Sequence, residues 1–500
     1  MPGDVPEAEV QALYPRGFAL LPRVLPRKTP DCWQQTALPG GRVWACDPLL
    51  ETEIWQNDSG DWLVLAGICL DTHRPTADLA TIAKRMRRKL RFGRNYFLDY
   101  LDQLGGRFVL AYEWRKTPFF YTDAGGTKAA FCAKIDGGVV VSSHASLTAD
   151  LAQTESGAPR SSSAVEPWRE SKRAGFPGHF TPFEGVFHLT PNVRLNLNDG
   201  TTERFYPRKQ LKVCDEQKLP EILKSIQQLM DTQVQLLKTL NRPLVASLSG
   251  GVDSRFVLAC TVKHSRDILY FTYHHRSDYD QDLRISQELA ERLKLEHLVI
   301  RWDPKVASGG SDSREYKAFL RNMKKATYLH HGHRLAWNYQ QQLPANAIHI
   351  GGELSEILQA FWSTTAWYWE EWAKPFTPAK MARAYGTQGN KQIEDFFNRF
   401  DRDVSFADIR QEDGYDPFDF FYWEHRMGTW RSHVSIESDP SFDAVSLFAC
   451  RKLLELGLCL PVGVRHRQQL AHLGIELYLP QAREIPIASS RPSFNKKATP

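Results

Sequence analysis

Apolar residues follow two kinds of pattern along the chain, and these predict where strands and helices lie. Short apolar runs bounded by glycine, proline or polar residues predict strands at 62–69, 107–112 and 138–143. A more extended stretch near 77–103 has helical character and lies between the first two runs. The first two hundred residues are therefore predicted to form a domain rich in β-sheet.

The spacing of apolar residues changes after residue 210. Apolar residues at three- and four-residue spacing predict a helix over 218–240, and the apolar run 244–248 predicts a buried strand directly after it. Further strands are predicted at 268–273, 297–300 and 347–350, with a helix at 282–293. Strands that alternate with helices at this spacing are typical of a parallel sheet.

Two glycines interrupt the chain where the strand 244–248 ends and a helix begins. Such a turn lets the backbone approach an anion closely, and the first amides of the helix point at it, so phosphate is the expected ligand. A carboxylate in this turn would repel a bare phosphate, which suggests a divalent metal between Asp253 and phosphate oxygens. The candidate ligand-binding residues are Ser247, Ser249, Gly250, Gly251, Asp253, Ser254 and Arg255.

A second glycine turn follows the strand 347–350. Gly351 and Gly352 precede Glu353 and Glu356, two carboxylates three residues apart that are expected on one side of the first helical turn. Charges that complement a helix dipole are the alternative interpretation of this pair. In a parallel sheet both glycine turns lie beyond the carboxyl ends of their strands, where ligands bind.

The segment Ser249–Ser254, with sequence Ser-Gly-Gly-Val-Asp-Ser, resembles the pyrophosphatase loop (PP-loop) of ATP-using enzymes of the asparagine synthetase type. The segments 104–110, 121–126 and 141–143 resemble the second half of a class II glutamine amidotransferase domain. The resemblance implies an α/β chain with an N-terminal Ntn-like αββα sandwich over 1–210. A parallel-sheet domain of the adenine nucleotide α-hydrolase (PP-loop) kind would then occupy 211–500.

The chain departs from this family at two places. The family's glutaminase cysteine is at position 2, whereas this sequence has Pro2 and its first cysteine is Cys32, so glutamine hydrolysis is not expected. The family also carries a C-terminal lysine where this chain has Ser493. Lys496 is the candidate catalytic replacement, and a basic terminus without a defined structure is the alternative.

The resemblance implies an AMP-forming amide ligase that uses ATP and Mg²⁺. Glu353 would orient or deprotonate an amine, while Asp253 and Glu356 would share the metal. The substrates would be a small-molecule or peptide carboxylate and an amine, as in β-lactam synthetases and lasso-peptide cyclases. Alternatives are an asparagine synthetase-type amidation with external ammonia, sulfur or nitrogen transfer onto a nucleobase, and a nucleotide-binding scaffold without chemistry.

The composition limits which binding partners and which cellular compartment are expected. The net charge of +5 is mild, so nucleic acid is not indicated as a partner. Eight cysteines without short paired spacings suggest reduced thiols in a cytoplasmic protein rather than a disulfide framework. No segment suggests a signal peptide or a membrane span. The oligomeric state stays open, with a homodimer as one option.

Overall fold

A computed structural model describes residues 13–25, 29–152, 176–274, 280–301, 314–328 and 333–488. The strands, numbered along the chain, are β1 Phe18–Leu21, β2 Gln34–Ala37, β3 Val43–Cys46, β4 Thr52–Gln56, β5 Trp62–Asp71, β6 Leu104–Trp114, β7 Thr117–Thr122, β8 Phe131–Ile135, β9 Gly138–Ser142, β10 Val186–His188, β11 Val193–Asn196, β12 Thr202–Arg204, β13 Leu244–Ser247, β14 Ile268–His274, β15 His297–Arg301, β16 Ala347–Gly351 and β17 Phe442–Ser446.

Helices are concentrated in the second half of the chain. The α-helices are α1 Leu79–Phe92, α2 Arg94–Leu101, α3 Ala145–Ala152, α4 Leu219–Lys238, α5 Val252–Thr261, α6 Asp280–Leu293, α7 Arg314–Ala326, α8 His333–Gln342, α9 Ala366–Glu371, α10 Pro378–Tyr385, α11 Lys391–Val404, α12 Pro417–Phe421, α13 Ser432–Ser438, α14 Arg451–Leu458, α15 Val462–His466 and α16 Gln469–Tyr478. A π-helical segment, Tyr422–Arg431, joins α12 to α13. No helix in these described ranges combines the length and the apolar character needed to cross a membrane.

The first twelve strands form two antiparallel sheets that pack face to face. Their orders are β10-β8-β9-β1-β3-β2 and β12-β11-β7-β6-β5-β4. Phe18 of the first sheet lies 5.9 Å from Phe120 of the second, measured between ring centroids. Helix α3 contacts the first sheet and α1 contacts the second, so the layers run helix, sheet, sheet, helix. This is the αββα sandwich that the sequence predicts.

The last five strands form a parallel sheet in the order β15-β14-β13-β16-β17. Alternate residues of β13 face opposite sides, where Ala246 joins the core beneath α5 and Val245 joins the cluster beneath α8. The strand order reverses between β13 and β16, which are direct neighbours with Ala246 opposite Ile350. Ligands of open parallel sheets bind at such a switch point, and both glycine-rich turns begin there.

A buried ion cluster joins the sandwich to the edge of the parallel sheet. Asp443 of β17 accepts hydrogen bonds from Arg16 at 3.0 Å and from Arg242 at 2.7 Å. Arg107 of β6 pairs with Asp439 and also faces Asp443. Burial alone would raise the pKa of Asp443, but the three arginines hold it below its usual range. The charged groups are therefore mutually compensated across the junction.

The sequence predicts these elements well, with one break that it does not place. The predicted strands lie within or close to the observed ones, and α4 covers most of 218–240. The predicted helical stretch 77–103 is two helices, because Gly93 between them has a φ of 125° that ends α1. The division into domains 1–210 and 211–500 stays a prediction.

Candidate functional site

The first glycine turn, residues 248–254, is held by its own polar side chains. The backbone N–H of Ser249 donates to Ser254 Oγ at 3.1 Å, and the two serine hydroxyls lie 2.8 Å apart. Asp282 Oδ1 accepts a hydrogen bond of 3.0 Å from the N–H of Gly250. The N–H of Gly251, the N-cap residue of α5, donates to Ser249 Oγ at 3.2 Å. No side chain caps the first turn of α5, so the N–H groups of that turn are available to a ligand.

Ser247, at the end of β13, faces the second strand of the switch point. Its backbone N–H lies 3.3 Å from His349 Nε2, which accepts the hydrogen bond. Burial lowers the pKa of His349 to about 4, so the ring is neutral at physiological pH. Its Nδ1 is buried without a hydrogen-bond partner. The neutral side chain of His349 therefore lies at the base of the site, between the two turns.

Arg255 is directed away from the expected phosphate position, and this corrects its assignment as a phosphate-binding residue. Its Nη1 donates to the carbonyl oxygen of Ile485 at 2.7 Å, and its Nη2 donates to that of Pro486 at 2.8 Å. The N–H of Ala488 in turn donates to the carbonyl oxygen of Gly250 at 2.8 Å. Arg255 therefore binds the C-terminal segment, which lies directly against the loop.

The second glycine turn differs from the helix start that the sequence predicts. After β16, Leu354 adopts a left-handed conformation with a φ of 75°, and a 3₁₀ segment, Ser355–Gln359, follows it. Glu353 and Glu356 are thus not on one helical turn, because Leu354 reverses the chain between them. Leu354 is fully buried, which holds this uncommon backbone conformation in place.

Asp253 and Glu356, one from each turn, lie close together. Burial, and next the charge of Asp253, raise the pKa of Glu356 to about 8. Asp253 Oδ1 accepts a hydrogen bond of 2.7 Å from the Ser355 hydroxyl and a second from the Gln359 amide. Glu356 Oε2 is buried and has no hydrogen-bond partner. Two carboxylates in this arrangement need a shared proton or a cation.

Glu353 occupies a different electrostatic environment. Its Oε1 accepts a hydrogen bond from Nη2 of Arg431, at the end of the π-helical segment. Burial would raise the pKa of Glu353, but Arg431 outweighs it and lowers the pKa below the usual value. Gly351 permits this arrangement, because a Cβ there would lie 1.9 Å from Glu353 Oε2. Glu353 is therefore ionised at neutral pH and held in place by Arg431.

Gly352 brings the second turn against the first. A Cβ at this position would lie 3.2 Å from Val257 Cγ2 and 3.5 Å from the carbonyl oxygen of Asp253. The second turn therefore packs onto the first two turns of α5. The structure brings together the following predicted site residues: Ser249, Gly250, Gly251, Asp253, Ser254, Gly351, Gly352, Glu353 and Glu356. Lys496 lies outside the described residues.

The fit of a magnesium ion can be judged from the donors present. Asp253 and Glu356 offer only oxygen atoms, which are the ligands that Mg²⁺ prefers. Glu356 Oε2 is buried without a hydrogen-bond partner, so it is available to a cation. Within the described ranges, no group of three or more histidine, cysteine, aspartate or glutamate side chains is placed to hold a metal. The pair fits an ion that keeps several water and phosphate ligands, as Mg²⁺ usually does.

The sequence analysis missed three residues of the site, Ser355, Gln359 and Arg431. Ser355 and Gln359 follow Glu353 within six residues, so their spacing could have suggested a role beside the carboxylates. Arg431 lies 78 residues from Glu353, so no local pattern indicates that the two side chains pair. Glu424, seven residues before Arg431, is fully buried and pairs with Arg204 at the junction with the sandwich.

A comparison with protein-family models identifies part of this site. Residues 225–308 match the family described as asparagine synthase, and this segment contains β13, the first glycine turn and α5. The resemblance noted for the Ser-Gly-Gly loop is thereby confirmed, and the chain is asparagine synthase-like in that segment. No curated protein matches the sequence significantly.

Similar solved structures include two synthetases and an amidotransferase. Glutamine phosphoribosylpyrophosphate amidotransferase from B. subtilis, complexed with ADP and GMP, is 8% identical over 78% of this chain and 89% of that one, with a TM-score of 0.22. NMN synthetase from Francisella tularensis is 18% identical over 42% and 93%, with a TM-score of 0.20. Glutamine-dependent NAD⁺ synthetase from Acinetobacter baumannii, in complex with ADP, is 10% identical over 52% and 62%, with a TM-score of 0.16. These TM-scores are too low to carry an argument.

Proposed function

We propose that this chain, asparagine synthase-like over residues 225–308, is an ATP-dependent amide ligase that forms AMP and pyrophosphate. The observation that carries the proposal is the meeting of Asp253 and Glu356 beside an uncapped helix N-terminus at the sheet's switch point. Amide donors for phosphate and oxygen donors for a cation then stand side by side. This combination suits a nucleotide triphosphate better than a neutral ligand.

The reaction has two steps. A carboxylate oxygen of the substrate attacks the α-phosphorus of ATP, and the bond between the α-phosphorus and the bridging oxygen breaks to release pyrophosphate. The nitrogen of an amine then attacks the acyl carbon, and AMP leaves with the former carboxylate oxygen while the amine loses a proton. The N–H groups of the first turn of α5, which no side chain caps, and the hydroxyl of Ser254 support binding of the departing pyrophosphate.

Asp253 and Glu356 would hold Mg²⁺, and a bound magnesium ion supplies positive charge against the phosphates. Ser355 and Gln359 fix the carboxylate of Asp253 for that purpose. Glu353, kept ionised by Arg431, is suited to accept a hydrogen bond from the incoming amine and to align its lone pair. Its lowered pKa makes it a weak proton acceptor, so solvent or a second group takes the proton.

The proposal includes no glutaminase reaction. Cys32, the first cysteine, lies outside the twelve strands of the sandwich, and burial raises the pKa of its thiol. Such a thiol is a poor nucleophile at neutral pH. The amine therefore comes from the substrate or from a second molecule, as proposed for chains that resemble β-lactam synthetases.

The test is a scan of candidate carboxylates for release of AMP and pyrophosphate from ATP with Mg²⁺. We expect AMP that depends on a carboxylate and disappears in Asp253→Ala. Formation of ADP in place of AMP would contradict the proposal. Tight ATP binding without pyrophosphate, for every carboxylate and amine tried, would favour the nucleotide-binding scaffold, which the serine at position 493 makes a credible second function.

A further inference from the structure

Two cysteines that are far apart in the sequence meet at the segment leading from the sandwich to α4. Cys214 lies in this connecting segment and Cys459 directly follows α14. Their sulfur atoms are 3.2 Å apart, although 245 positions separate the residues along the chain. Within the described part of the chain, the other six cysteines make no sulfur–sulfur contact of this kind.

The backbones of the two residues are also joined. The N–H of Cys214 donates to the carbonyl oxygen of Cys459 at 2.8 Å. A disulfide holds its two sulfur atoms at about 2.05 Å. The sulfurs therefore need to approach by only about 1 Å, which side-chain rotation can supply.

We propose that Cys214 and Cys459 are a thiol–disulfide modification site that closes into an intramolecular disulfide. The oxidant is a small-molecule disulfide such as oxidised glutathione. The thiolate of one cysteine attacks a sulfur of that disulfide, forms a mixed disulfide and expels one small thiolate. The second cysteine then attacks the sulfur of the first cysteine in this mixed disulfide and expels the second small thiolate. Two protein thiols are thereby oxidised, and the small disulfide is reduced to two thiols.

The environment assigns the order of the two attacks. Burial, and next the neighbouring Cys214 thiol, raise the pKa of Cys459 to about 12, so this residue carries little thiolate at neutral pH. Its Sγ lies 3.1 Å from the carbonyl oxygen of Leu456, and Cys214 Sγ lies 3.2 Å from that of Cys459, so each thiol has a carbonyl acceptor. In the proposal Cys214 attacks first and Cys459 resolves, because the raised pKa of Cys459 disfavours its thiolate. Both side chains are half-buried, so a small reagent can reach them.

The disulfide would tie the connecting segment to the synthetase-like half. Val213 and Leu458, each adjacent to one of the cysteines, line a cavity of about 340 Å³. Arg465 also lines it and donates from Nη1 to the carbonyl oxygen of Ile357 at 3.2 Å, beside Glu356. The disulfide would thus fix the relative positions of Val213 and Leu458 on two sides of this cavity. It would also restrict the motion of the segment that precedes α4.

The full-length protein is incubated in glutathione buffers of stepped oxidised-to-reduced ratio, trapped with N-ethylmaleimide and mapped by mass spectrometry. We expect two of its eight thiols to be lost together, with a Cys214–Cys459 cross-linked peptide that dithiothreitol removes. Cys32→Ser, which replaces a half-buried cysteine elsewhere, should keep the cross-link. Cys459→Ser should instead accumulate the mixed disulfide on Cys214.

Two results would overturn the proposal. One is wild-type protein that stops at the mixed disulfide on Cys214 at every ratio. The other is wild-type protein in which both cysteines stay alkylated while Cys32 reacts. Both results are read on the wild-type chain, so they hold even where a serine variant fails to fold. Limited proteolysis supplies a second measurement, in which cleavage within 208–218 should slow at least severalfold on oxidation and recover with dithiothreitol.

Discussion

The N–H of Ala488 donates a 2.8 Å hydrogen bond to the carbonyl oxygen of Gly250, so the C-terminal segment rests on the first glycine of the candidate nucleotide loop. Arg255 adds two hydrogen bonds near this contact, to the carbonyl oxygens of Ile485 and Pro486. Arg255, which directly follows Ser254 of the loop, thus binds the C-terminal segment. This relationship gives the first prediction.

Replacing Arg255 with methionine should loosen the C-terminal segment and weaken ATP binding. The change leaves the two carbonyls without charged donors, and such bonds contribute about 1.5–3 kcal/mol each. We expect KM for ATP to rise about tenfold or more while kcat changes less, with faster proteolysis near residue 485. Arg255→Lys should recover part of the loss.

A matched control exists beside the same segment. Arg292 pairs with Glu484 at 3.2 Å, but both side chains are exposed, and exposed pairs contribute about 0–1 kcal/mol. Arg292→Met should therefore leave KM for ATP near the wild-type value. Equal effects of the two substitutions would contradict the role assigned to Arg255.

Glu353→Gln should separate the two proposed chemical steps. The residue is held by Arg431 and is assigned to the amine, so adenylation of the carboxylate should persist in the variant. We expect exchange of labelled pyrophosphate into ATP to be retained, while amide formation falls about 100-fold or more. Loss of the exchange reaction in this variant would mean that Glu353 acts on the nucleotide instead.

Glu356→Gln should remove the response of the protein to magnesium. A ligand that binds only the folded state raises its stability, and this gain depends on an intact site. The wild type should show a melting temperature that rises with Mg²⁺ in the presence of ATP, and the variant should not. Glu394→Gln, at a partly exposed position in the first turn of α11, is the control and should respond like the wild type.

Acid should destabilise the protein through its buried histidines. Burial lowers the pKa of His188 and of His425 to about 3, whereas an unfolded chain has a histidine pKa of about 6.5. The unfolded state binds more protons between these values, so the free energy of unfolding falls as pH is lowered through that window. At pH 5 each such histidine costs about 2 kcal/mol relative to pH 7.

His425→Phe provides the measurement for this pH effect. The ring stacks on Phe421 with centroids 4.8 Å apart, so phenylalanine keeps the packing and removes the titration. We expect a smaller fall in melting temperature between pH 7 and pH 5 than in the wild type. The exposed His472→Phe should keep the wild-type slope, and a shared slope in all three proteins would refute the assignment.

The sequence predicts the sheets and both glycine turns because each depends on local pattern. The strands are apolar runs ended by glycine, and the loop serines satisfy each other within six residues. Such features need no knowledge of distant parts of the chain. The sequence analysis predicts a parallel sheet but not the strand order that brings β13 beside β16, because that order depends on pairing between segments far apart in the chain.

Two arginines show why the remaining contacts were not predicted. Arg255, whose assignment is corrected, and Arg431, which was missed, each have their partner at least 78 positions away, so sequence spacing gives no indication of the pairing. Leu354 has no sequence signal for a left-handed backbone, which normally favours glycine or asparagine. These features are set by tertiary packing rather than by local preference.

The arginines around Asp443 determine whether the two halves can be produced separately. A gene cut between codons 210 and 211 would leave Arg16 and Arg107 on one polypeptide and Asp439 and Asp443 on the other. Asp443 would keep Arg242, but Arg16, Arg107 and Asp439 would each lose an ion-pair partner at a surface that is buried in the intact chain. We therefore expect that neither fragment folds well alone, and that the sandwich, although it has no glutaminase role in our proposal, is needed to stabilise the parallel-sheet half.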